Sequence, residues 1–121
     1  MFRVIIAGTR TFQNYPLLNR KMDYFLSRTD DEIKIVCGMA RGADLLGKQY
    51  GEEHGYKVLC FPADWDQYGK KAGYLRNKQM AENADALVAF WDGKSRGTAN
   101  MIELAKQFQL KVRIVRYDME D

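Results

Sequence analysis

Ala86-Leu87-Val88-Ala89-Phe90-Trp91, followed at once by Asp92-Gly93-Lys94-Ser95-Arg96-Gly97-Thr98, is the stretch whose reading decides the fold. The first six residues are an unbroken apolar run. That pattern predicts a strand buried on both faces, as in a parallel sheet. From Thr98 to Gln109, Met101, Leu104, Ala105 and Phe108 recur at helical spacing. The order is therefore strand, small cationic loop, helix. Free N–H groups and the helix dipole make such a helix start an anion site. Gly97 lets an oxygen approach the backbone, Lys94 and Arg96 add charge, and Ser95 and Thr98 offer hydroxyls.

The same strand–loop–helix unit recurs through the rest of the chain. Phe2–Ala7 reads as the first strand and is closed by Gly8-Thr9-Arg10. Pro16 suits the first turn of a helix, which Leu18, Met22, Phe25 and Leu26 provide with an apolar face. Ile33–Cys37 is the second strand. Gly38-Met39-Ala40-Arg41-Gly42-Ala43-Asp44 opens a second helix that runs to about His54, with Gly55 past its end. Lys57–Phe61 is the third strand, and residues 62–69 form an aromatic, acidic loop. A third helix covers about Ala72 to Asn83. The strand at Ala86–Trp91, the helix after it, a fifth strand at Lys111–Tyr117 and a polar tail from Asp118 complete the chain.

Five strands separated by four helices imply right-handed crossovers and a parallel α/β sheet. The first and fourth strands are the most apolar and belong at the centre, which gives the order 3-2-1-4-5. Ligands in such sheets bind beyond the carboxyl ends of the strands, where the order reverses. That rule gathers Gly8, Thr9 and Arg10 with Gly38, Arg41 and Gly42, and with Asp92 through Thr98. Three loops each pair glycine with an arginine: Arg10, Arg41 and Arg96. Arginine suits bidentate contact with phosphate. Trp91 closes the fourth strand and is the best placed of the aromatic residues to stack on a base. Asp44 suits a ribose hydroxyl, or complements the positive end of its own helix.

Composition narrows the field further. At 121 residues the chain reads as one domain, residues 1–121. The formal net charge is +3, spread evenly, so composition argues only weakly for nucleic acid. No apolar run approaches the roughly 20 residues of a membrane span, and Met1-Phe2-Arg3 leads straight into a strand. A cytoplasmic protein with Cys37 and Cys60 as reduced core thiols is expected. His54 is the single histidine and no Cys-x-x-Cys exists, so no metal and no cofactor are expected. No Ser/His/Asp arrangement or complete Walker loop is available.

The quoted motifs also carry a resemblance. Arg76-Asn77-Lys78-Gln79-Met80, Ala84-Asp85-Ala86 and Gly97-Thr98 resemble the signature of LOG-type nucleotide phosphoribohydrolases. The fuller set resembles the YspA-like, cpYpsA-related branch of the SLOG superfamily more closely. It comprises Ala7–Arg10, Gly38–Asp44, Pro62-Ala63-Asp64-Trp65, Arg76-Asn77 and Phe90–Thr98. This resemblance implies a Rossmann-like three-layer sandwich and a nucleotide-derived ligand. It also implies a role as binder or sensor, often in phage or conflict systems. One departure stands out. The hydrolases place a glutamate three residues after the Gly-Thr threonine, where this chain has Met101, and the nearest acid is Glu103. Those two positions lie about 200° apart around a helix.

The first reading is therefore a module that binds a nucleotide or nucleotide-derived small molecule between the first and fourth strands. Its ligand residues are those of the three loops, with Asp44 and Trp91. The second is an N-glycosidic phosphoribohydrolase, with Arg76 orienting phosphate and Glu103 or Asp92 as base. The third is single-stranded DNA binding, since the resemblance extends to the Rossmann-like domain of the DNA-processing protein A family. Nucleic acid is the less favoured partner, no membrane partner is expected, and a homodimer is compatible with all three.

Overall fold

The computed structural model describes residues 1–119. These form a five-stranded parallel sheet of β1 (Phe2–Gly8), β2 (Ile33–Cys37), β3 (Lys57–Cys60), β4 (Ala86–Trp91) and β5 (Lys111–Arg116). Its order is β3-β2-β1-β4-β5, as the apolar runs predict. The helices are α1 (Tyr15–Leu26), α2 (Ala43–Glu53), α3 (Trp65–Tyr68), α4 (Ala72–Glu82) and α5 (Arg96–Gln107). Among the described residues no helix is long and apolar enough to cross a membrane.

Strand alternation explains why Val4–Ala7 of β1 and Ala86–Phe90 of β4 are apolar at every position. Val4 and Ile6 of β1, with Ala86, Val88 and Phe90 of β4, pack beneath α1 and α2 against Leu18, Met22 and Tyr50. Ile5 and Ala7, with Leu87 and Ala89, pack on the other face against Met80, Met101 and Ala105 of α4 and α5. Each residue of these stretches therefore meets one of two cores, so neither stretch has a solvent face. The register Gly8↔Phe90 brings the two strand ends level.

Local hydrogen bonds move several boundaries from their expected places. Residues 38–42 form a loop, and α2 begins only at Ala43. The loop after β3 contains α3, because the Asp64 side chain accepts from the Gln67 N–H at 3.1 Å and caps one helical turn. The last helix starts at Arg96, two residues early, because Ser95 caps it by accepting from the Thr98 N–H. Strand β5 stops at Arg116, and Tyr117–Met119 is a 3-10 turn. The last two positions of the expected tail lie outside the described residues. Cys37 is buried as expected, but Cys60 is exposed, because β3 is an edge strand with one neighbour.

The cap of α1 gives a first test. Asn14 accepts from the Leu17 N–H at 3.1 Å. Asn14→Ala should lower stability by about 1 kcal/mol, read as a lower midpoint in urea with an unchanged slope. An unchanged midpoint would show that the cap contributes nothing.

Candidate functional site

The loops after β1, β2 and β4 are tied to one another before any ligand is considered. The Thr9 N–H donates to the Phe90 carbonyl at 3.0 Å. The Thr9 carbonyl accepts from Phe12 and Ala43 N–H groups, and its hydroxyl oxygen accepts from the Asp92 N–H at 3.1 Å. Gly42 fits against this junction at φ 81°, and a Cβ there would sit 2.5 Å from the Thr9 and Arg10 carbonyl oxygens. Only glycine meets both the left-handed backbone and that approach.

A cavity of about 420 Å³ opens above the junction, at the carboxyl ends of β1 and β4. It lies within the roughly 300–1,000 Å³ of small-molecule sites. Of the residues expected to hold a ligand, Gly8, Thr9, Arg10, Asp44, Ser95, Gly97 and Thr98 line it, and so do Arg76 and Asp92. Asn77 and Met101 complete its wall. A second cavity of about 410 Å³ lies at the opposite, amino ends of the strands, between Tyr24, Phe25, Lys111 and Arg113. The switch-point rule and the acid–base groups both favour the first.

Arg76 is the central cation. It reaches from α4 to donate to the Gly38 carbonyl, and its Nε donates to Asn77 Oδ1 at 3.1 Å. Asn77 in turn donates to the Gly97 carbonyl at 3.3 Å and to Asn100 Oδ1 at 2.9 Å. One buried amide thus joins the guanidinium to the first turn of α5. Asp44, only 4% exposed, accepts from the Ala40 N–H at 3.3 Å. Burial pushes its carboxyl up to about 6, against the pull of Arg76. Burial also lowers the Arg76 guanidinium from its ordinary value, partly offset by Asp44.

Several expected residues stand elsewhere. Gly38 and Arg41 line a neighbouring cleft. Gly42 holds the loop junction. Lys94 and Arg96 are exposed and do not line the cavity, because the loop turns back on itself. Asp92 Oδ1 accepts from both the Lys94 and Ser95 N–H groups at 2.8 Å, which holds its carboxyl below the usual range. With Ser95 accepting from Thr98, the N–H groups of Arg96 and Gly97 are the helix-start donors left unengaged among the described residues. Trp91 does not reach the cavity either. Its indole N–H donates to the Ser95 carbonyl at 3.1 Å, and the Arg116 guanidinium lies 5.5 Å from its ring. Glu103 is exposed outside the cavity, while Met101, 1% exposed, faces it. The helical offset of about 200° accounts for that difference.

A centre built on Arg10, Arg76, the Gly97 N–H at the helix start and several hydroxyls can hold a phosphate and a polyol. Among the described residues no group of three His, Cys, Asp or Glu side chains gathers to hold a metal. Arg76 and Asn77 carried a signal in the sequence only as a motif pair, since an arginine in mid-helix otherwise reads as solvated.

Comparison with known proteins agrees with this architecture. The model of the "YspA, cpYpsA-related SLOG family" matches residues 2–68, which include the loops after β1 and β2. Gene 61 protein of Mycobacterium phage D29 is 33% identical over 118 residues, spanning 93% of this chain and 94% of that protein. DNA processing protein A from Streptococcus pneumoniae superposes with a TM-score of 0.74 at 15% identity, covering 99% of this chain. This chain spans 52% of that one, about half its length. The protein TM1055 superposes with a TM-score of 0.67 at 20% identity, over 93% of this chain and 72% of its own. At those identities the two structures show a shared fold.

Proposed function

We propose that this chain, which belongs to the YspA, cpYpsA-related SLOG family, binds a nucleotide or nucleotide-derived ligand at the β1/β4 switch. The observation that carries this reading is the convergence of Arg10, Arg76 and the open start of α5 on one cavity. Two guanidinium groups and the Gly97 backbone donor suit the oxygens of a phosphate. The Thr9, Ser95 and Thr98 hydroxyls and the Asp44 carboxyl suit ribose. The phage relative supports a phage-associated setting. A small, even net charge disfavours a long nucleic acid as the ligand.

Titration calorimetry with AMP and GMP tests the reading. The parent should bind at least one of them, and Arg76→Ala should weaken that binding by about 10–100-fold, the value of hydrogen bonds to a charged group. The folding cost should be small, because Asp44 takes up a proton when its partner is lost. Absence of binding to any nucleoside monophosphate, or equal affinity in parent and variant, would overturn the assignment.

A further inference from the structure

Resting on the nucleotide reading above, we infer that the ligand is a dinucleotide, two nucleosides joined through phosphate, whose second base stacks on Trp65. The cavity between β1 and β4 does not end at Arg76. Arg10, Ala40 and Arg76 also wall a second cleft of about 610 Å³, whose far side is formed by Arg41 and Trp65. The two spaces therefore share a cationic wall.

The second cleft has the chemistry of a base and phosphate subsite. Trp65 is 50% exposed. It stands on α3, which exists because of the Asp64 cap. Its ring edge lies 3.4 Å from where a Gly73 side chain would begin, so α4 supports the ring at close range. A large aromatic surface held rigid yet left half open is what a planar base stacks on. Beside it, the Arg10 and Arg41 guanidinium groups make no hydrogen bond or ion pair with any described residue. Met39, which also lines this cleft, holds a left-handed backbone at φ 66° and is 37% exposed. Such conformations in non-glycine residues concentrate at ligand sites. A first nucleotide in the β1/β4 cavity would place its linking phosphate at Arg10 and Arg76. Its neighbour then lies along Arg41 against the indole.

The test compares AMP with the dinucleotide pApA on the full chain, by calorimetry and by tryptophan fluorescence. The dinucleotide should bind about 5–150-fold more tightly than AMP, the gain from one stacked base. Trp65→Ala should bring that ratio close to one, and Trp65→Phe should keep most of it, with thermal melts checking that both fold. A ratio near one in the parent, or a ratio unchanged in Trp65→Ala, overturns the inference and leaves the nucleotide reading standing. A ten-residue oligoadenylate that binds far more tightly than pApA also overturns it, in favour of an open strand track. Failure of both AMP and pApA to bind removes the nucleotide reading with it.

Discussion

AMP and GMP incubated with this chain should come back intact, with free base released more slowly than about 0.01 per second. Ordinary enzymes turn over at roughly 1–10³ per second, and loss of a general base costs about 10²–10⁴. Cleavage of a glycosidic bond needs a carboxylate beside the ribose, to activate water or to steady the developing positive charge. Met101 faces the cavity where that carboxylate would stand, and a thioether can do neither. Glu103 is exposed on the outside of α5. Asp92 does line the cavity, but two backbone N–H groups occupy its oxygen and depress its basicity. Met101→Glu should raise base release at least about tenfold over the parent, since a carboxyl buried there is held near neutral and suits proton transfer. Base release followed by chromatography, with a thermal melt of the variant, reads both halves. A parent rate near 1 per second would overturn the binder reading. Asp44, the remaining carboxyl on the cavity wall, would then be the first residue to remove.

The stability difference between Asp44→Asn and the parent should change by about 3 kcal/mol between pH 7.5 and pH 3. The Asp44 carboxyl rises from its ordinary 3.8 to about 6 on folding, chiefly through burial, and such a rise is worth about 3 kcal/mol. The sign follows from proton binding. The folded chain holds this proton more tightly than the unfolded chain, so ionised Asp44 opposes folding above pH 6. That penalty fades as pH falls through 6 and is gone below about 3. Asp85 and Asp118, held low by Arg3 and Arg116, slope the other way. They do so equally in parent and variant and cancel in the difference. Urea unfolding at a series of pH values gives the two curves. Parallel curves would show that Asp44 is not raised. The same proton bears on the ligand: a neutral Asp44 removes a negative charge from the neighbourhood of Arg76, which favours an anion in the cavity.

The sequence by itself determined the sheet and its order. Ile5 to Ala7 and Ala86 to Phe90 are apolar at every position because each strand has a core on both faces, and a pattern that simple survives without tertiary knowledge. It also gathered the loops that line the cavity at the carboxyl edge, and it separated Met101 from Glu103, because helical rotation is a local property. Which cations face the cavity was decided only by the tertiary structure. Lys94 and Arg96 lie between the two loop glycines, Gly93 and Gly97, yet Asp92 folds the loop back and turns them outward. Trp91 likewise spends its N–H on the Ser95 carbonyl. Arg76 fills the centre from a helix whose periodicity gives no reason to expect it there. Its side chain is fixed by Gly38 and Asn77, residues brought together by the crossover from β3 to β4. Side-chain direction in a loop depends on hydrogen bonds from other loops, and those contacts exist only once the sheet has set the strand ends side by side.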